Sequence, residues 1–142
     1  MVMTILEKIV GNAQGIDLSS RVLANTTVVA SPSANAETII GSLTITPGIA
    51  ITTGVILICW AAFTVGTSGT AVTFRVRQTS VSGTTIVSSG ALTSTAANVN
   101  ERSIPAYDTS PADGQVYKFT MTVTGGAAAS TVSALQMTAI II

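Results

Sequence analysis

A chain of 142 residues that is 47% hydrophobic and only 8% charged, with six basic residues balanced by six acidic ones, fits one domain and has little charge to keep copies apart. With no histidine, Ser-His-Asp and Cys-His catalysis are excluded, and a single cysteine excludes an intrachain disulfide and any cysteine-rich zinc site. The scattered Lys and Arg residues exclude the basic stripe that a nucleic-acid partner requires. Such a surface must be covered by Thr, Ser, Asn and Gly. It belongs either to a hydroxyl-rich domain that stays single or to a subunit packed against its own copies, and we favour the second.

The first residues differ from the rest. Ile5, Leu6, Ile9 and Val10 have the spacing of one helical turn, but Gly11 and Gly15 stop it early. A helix that short does not stand alone, so residues 1–25 read as an extended arm that needs a partner surface, or else as a frayed terminus. Glu7 and Lys8 interrupt the apolar residues before a secretory signal could form. The expectation is synthesis in the cytosol, with export, if any, by release of assembled particles. The sequon Asn25-Thr26-Thr27 is then a chance match.

From Thr26 to Ile142 the pattern is all-β: Thr and Val dominate, Gly, Pro, Asn and Ser punctuate, and no helical period persists. The expected strands are Thr26–Ala30, Thr38–Thr46, Gly54–Val65, Ala71–Gln78, Thr84–Ser89, Asn98–Ile104, Gln115–Thr124 and Thr131–Ile141. Eight short strands predict an antiparallel sandwich of jelly-roll type behind the N-terminal arm.

Two strands have one wet face. In AVTFRVRQ, Val72, Phe74 and Val76 alternate with Thr73, Arg75 and Arg77, and the two arginines read as a solvated edge. In QVYKFTMTV, Tyr117, Phe119, Met121 and Val123 alternate with Val116, Lys118, Thr120 and Thr122. The stretch TTGVILICWAAFTVG breaks this rule. One parity holds Val55, Leu57, Cys59, Ala61, Phe63 and Val65; the other holds Ile56, Ile58, Trp60, Ala62 and Thr64.

The apolar part of that stretch is far shorter than the ~20 residues of a membrane helix and has no basic anchors, so a membrane partner is not expected. A strand dry on both faces remains. A two-layer sandwich buries one face, so another subunit is the simplest cover for the second. Ile56, Ile58 and Trp60 are the candidate subunit contacts and Leu57, Cys59 and Phe63 the candidate core, although periodicity leaves the parity open. LQMTAIII near the C-terminus has the same character and is expected beside this strand in one sheet.

Little chemistry is on offer. Of the carboxylates, Asp108 and Asp113 lie in NERSIPAYDTSPADGQVY, where they could pair as in a glycosidase or hold Ca²⁺ with backbone carbonyls. Turns are the stronger reading: an Asx or type I turn from Asp108 to Pro111, and Asp113-Gly114 leading into the next strand. Tyr107, Tyr117 and Trp60 could form a sugar platform, though core or interface anchoring suits them better. No phosphate loop, dinucleotide fingerprint or zinc spacing is present. Neither an enzyme nor a bound metal or cofactor is expected.

ILICWAAFTVGTSGTAVTFRVRQTSVSGTTIVSSGA, followed by YDTSPADGQVYKFTMTVTGGAAASTVSALQMTAIII, resembles the jelly-roll modules of tailed-bacteriophage virion proteins. The resemblance covers roughly two-thirds of the chain and rests on pattern and composition. It implies a tumour-necrosis-factor-like or related jelly roll that forms a homotrimer, without catalytic residues or cofactor. Two roles follow from it. One is a capsid decoration, or cementing, protein on the capsid exterior, made in the host cytoplasm, whose arm (Ile5, Leu6, Ile9 and Val10) contacts the major capsid protein lattice. The other is a tail-fibre or adhesin tip that binds a surface glycan through a candidate ligand loop at Tyr107, Asp108 and Asp113.

Overall fold

Alternating apolar and hydroxyl-bearing residues build strands whose successive side chains leave opposite faces of a sheet, and the chain stacks two such sheets. The structure, a computed structural model, describes residues 22–25, 32, 35–96, 98–125 and 130–142. Seven strands lie between residues 37 and 141: β2 (Glu37–Thr44), β3 (Val55–Thr64), β4 (Ala71–Gln78), β5 (Thr85–Thr93), β6 (Asn100–Asp108), β7 (Val116–Thr124) and β8 (Thr131–Ile141). A short strand precedes them, β1 (Val22–Asn25), with Val22 opposite Ile140 and Asn25 opposite Met137. No helix occurs among the described residues.

All pairings are antiparallel. One sheet runs in the order β1-β8-β3-β6 and the other β2-β7-β4-β5. β8 is the direct neighbour of β3, Ile58 facing Thr138 and Trp60 facing Gln136, so the two apolar strands share a sheet as expected from their composition.

The core lies between the sheets. Val55, Leu57, Cys59, Ala61 and Phe63 of β3, with Leu135, Met137, Ala139 and Ile141 of β8, meet Val72, Phe74 and Val76 of β4 and Tyr117, Phe119, Met121 and Val123 of β7. Phe74 is the hinge of an aromatic cluster, edge-on to Phe63 at 5.1 Å and tilted against Phe119 at 5.5 Å. Burial raises the Cys59 thiol to about 12, which leaves it a small hydrophobe. In β2 the register shifts between Ile39 and Gly41. A Cβ at Gly41 would sit 2.9 Å from both methyls of Leu135, so the missing side chain lets β8 pack under the bulge.

Several expectations change. Val22–Asn25, assigned to the arm, forms strand β1, whereas the strand expected at Thr26–Ala30 lies outside the described residues. β5 continues past Ser89 to Thr93, because bulges absorb Gly90 at the sheet edge. β6 starts later and runs through Pro105 to Asp108. Proline fits there because, among the described residues, β6 is an edge strand with β3 as its one partner, so the missing N–H breaks no ladder bond. β4, read as a solvated edge, lies inside its sheet between β7 and β5.

Candidate interaction surface

The two sheets turn very different faces outward. On the β2-β7-β4-β5 side, Glu37 of β2 reaches across β7 to β4, where Arg77 donates to it twice, from Nε at 2.6 Å and Nη2 at 2.8 Å. Arg75 adds a bond at 3.3 Å, and the Thr120 hydroxyl of the intervening strand donates to the same carboxylate. Arg77 also donates to the Gly83 carbonyl and the Thr85 hydroxyl, Arg75 to Thr122, and Lys118 to Ser42. The bond from Arg77 holds the Glu37 carboxyl below the usual glutamate range, against the opposing cost of burial, with Thr120 and the charges of Arg77 and Arg75 helping. A sheet face that meets water is thus covered by ion pairs and hydroxyls.

The other outer face is uncharged across its centre. Register aligns three rows over β6, β3 and β8: Tyr107, Ile56 and Ile140; Pro105, Ile58 and Thr138; Ser103, Trp60 and Gln136. Ile58 is 44% exposed and Tyr107 46%, while Ile56, Trp60 and Ile140 are half-buried among their neighbours. The register settles the parity of β3: Leu57, Cys59 and Phe63 point into the core, and Ile56, Ile58 and Trp60 point out. The ionisable residue at the rim is Glu101, opposite Ala62.

Tyr107, Asp108 and Asp113 do not converge. Tyr107 lies on the outer face, its ring against Gly54 and its hydroxyl donating to the Thr53 carbonyl at 3.1 Å. Asp108, next along β6, points inward and is 5% exposed. Its Oδ2 accepts from Gln78 Nε2 at 2.7 Å and from the Tyr117 hydroxyl at 2.8 Å, and its Oδ1 accepts the Ser110 amide at 3.1 Å. The last bond is the expected Asx turn. The first two tie β6 to β4 and β7, across the two sheets. Burial, then the bond to Asp108, push the Tyr117 phenol well above its usual range. Asp113 Oδ1 accepts the Gly48 amide at 2.7 Å, joining two loops at the same end of the sandwich. Among the described residues no group of three or more His, Cys, Asp or Glu side chains could hold a metal ion, and no helix is long and apolar enough to cross a membrane. Ile5, Leu6, Ile9 and Val10 lie outside the described residues.

Sequence reasoning missed two features: the tie of Glu37 to Arg75 and Arg77, and the burial of Asp108. Shared parity of the arginines hinted at the first. Their partner lies 38 to 40 residues away and depends on register across β7.

The chain is therefore an all-β sandwich of two antiparallel sheets with one charged and one apolar outer face. The sequence matches no protein-family model and no curated protein. Its fold is similar to part of solved virus-particle proteins. Against the T13 viral particle of infectious bursal disease virus the TM-score is 0.59 at 12% identity, covering 85% of this chain and 31% of that one. Against the VP2 subviral particle of the same virus it is 0.56 at 17% identity, covering 85% and 33%. The Gt strain gives 0.59 at 12% identity, covering 85% and 33%. The chain thus spans about a third of these neighbours' length, and at such identities the likeness is one of fold.

Proposed function

We propose that this chain is a virion structural protein, a capsid decoration subunit that works as a homotrimer on the outside of the capsid. The observation that carries the reading is the similarity of its sandwich to part of a protein that builds viral particles, over 85% of the chain. Strand pairing supports the jelly-roll form. The pairs β1 with β8, β2 with β7, β3 with β6 and β4 with β5 are those of one long hairpin rolled up on itself. The ionisable side chains support structural work, since Glu37 is held by two arginines and Asp108 by Tyr117 and Gln78.

Residues 1–21 act in this scheme as the arm that contacts the major capsid protein lattice, through Ile5, Leu6, Ile9 and Val10. Removing them leaves β1 in place and tests the arm apart from the sandwich. The full chain, incubated with shells of its own virus stripped of it, is expected to rebind and raise the temperature at which the shells open. A truncated chain that stays folded and loses rebinding supports the arm. A full chain with no affinity for those shells overturns the decoration role. The glycan-binding reading gains nothing from the geometry, because Tyr107 and Asp108 leave opposite faces of β6 and the Asp108 carboxylate is occupied inside the protein.

A further inference from the structure

We infer that Pro105 and Arg102 guard the free edge of β6 against pairing with an edge strand of a second copy of this chain. The edge needs such protection whether or not the chain decorates a capsid. Among the described residues, three long strands lie at sheet edges: β2, β5 and β6. An edge strand offers unpaired N–H and C=O groups as a template for another strand, and bulges, prolines and inward-pointing charges block such pairing. β2 is bulged between Ile39 and Gly41, and β5 is bulged twice, opposite Thr73–Arg75 and Val76–Arg77. β6 has no bulge. Its nine residues run beside β3 in unbroken register, from Asn100 opposite Phe63 to Asp108 opposite Val55. Long, regular and bordered by an apolar face, it is the edge most open to a second copy, and a chain with six basic and six acidic residues has no net charge to hold copies apart.

Two side chains of β6 do there what bulges do at the other edges. A proline nitrogen carries no hydrogen, so Ile58 and Pro105 form a non-hydrogen-bonded pair of the ladder, and Glu101, Ser103 and Tyr107, which share the parity of Pro105, turn their N–H and C=O groups toward the free edge. Pro105 stands within that row. It deletes one donor and puts its ring where an incoming strand would lie. Arg102 points the other way, between the sheets, with the parity of the buried Ile104 and Ala106. Its Nε is sealed from solvent and has no acceptor, whereas Arg75, Arg77 and Lys118 all donate hydrogen bonds. Arg102 is half-buried, and a strand added at the edge would take more of this unpaired cation out of water. Two features that are unfavourable within one copy thus disfavour the pairing of two.

The test begins with amide hydrogen exchange on the full wild-type chain. Glu101, Ser103 and Tyr107 are expected to exchange at least about a hundredfold faster than Arg102, Ile104 and Ala106, whose amides face β3. Equal protection of the two sets means that the edge is already paired and overturns the inference. Pro105→Thr then restores the missing donor, and Arg102→Met removes the charge while keeping an apolar stem. The double variant is expected to form large species in sedimentation velocity and to raise thioflavin T fluorescence at least about tenfold faster than wild type at equal concentration, with each single variant between the two. Gln136→Val adds an apolar side chain to the same outer face on β8, which lies between β1 and β3, and is expected to match wild type. A double variant that is folded by far-UV circular dichroism and stays as soluble as wild type overturns the inference, and so does a Gln136→Val chain that associates as fast as the double variant. Should Pro105→Thr fail to fold, Pro105→Ala combined with Arg102→Met takes its place and is read in the same way.

Discussion

Replacing Asp108 by alanine distinguishes a structural carboxylate from one kept for a ligand. Asp108 accepts three hydrogen bonds, and the Tyr117 hydroxyl that donates one of them belongs to a fully buried residue. Bonds to a charged acceptor contribute about 1.5–3 kcal/mol each, and a buried donor left without a partner costs about 1–3 kcal/mol. Gln78 is half-buried and can turn to water, so the tyrosine dominates the loss. Asp108→Ala should therefore destabilise the fold by about 3 kcal/mol, or roughly 10 °C in Tm for a domain of this size. Tyr117→Phe removes a donor and leaves the carboxylate its other two bonds, so it should cost about 1.5–2 kcal/mol, the low end for a bond to a charged acceptor. Once Tyr117 is Phe, the alanine substitution should cost less than it does alone, because the orphaned hydroxyl is gone. Urea unfolding followed by circular dichroism, at one fixed protomer concentration, reads all three. If Asp108→Ala matched the wild type or exceeded it in stability, the carboxylate would be a cost carried for some ligand, and the account of this site would be wrong.

Three further substitutions probe other parts of the fold. Glu37→Gln should lower stability at neutral pH by about 1 kcal/mol, since the ion pairs are partly exposed. Because the folded Glu37 pKa is depressed, its contribution is complete above the ordinary value of 4.5 and fades as pH falls through the lower folded value. The difference between wild type and Glu37→Gln in urea unfolding should accordingly be flat near neutrality and shrink below about pH 4. Gly54→Ala should cost more than about 3 kcal/mol or abolish expression as folded protein, because φ is +153° there and a Cβ would lie 2.3 Å from the Asp108 carbonyl oxygen. Thr79, a β-branched residue at φ +65°, should gain about 0.5–1 kcal/mol on replacement by asparagine, a change thermal unfolding can resolve.

What could be read from sequence follows the range of each interaction. Strands β4 and β8 were legible to their ends: in β4 period-two alternation is local, and β8 is a largely apolar and β-branched run that begins after Ser130. The two apolar faces of β3 were legible from its composition, and so was its pairing with β8, the other strand of that composition. The parity of β3 was not, since both faces are apolar and only the second sheet decides which one is covered. β1 escaped notice because Val22–Asn25 carries no alternation of its own and is ordered by pairing with β8. Asp108 looked like a loop residue because Pro105 and Pro111 flank it; the tolerance of an edge strand for proline carries β6 on to Asp108 and turns the carboxylate inward. Glu37, just ahead of the strand expected at Thr38–Thr46, carries no local sign that β2 would lie one strand from the arginines of β4.

Cryo-electron microscopy of virus particles that carry this chain tests the proposed decoration role most directly. The account predicts sandwich densities in threes on the outer capsid surface. Particles that carry it as isolated single copies away from the capsid surface would contradict it.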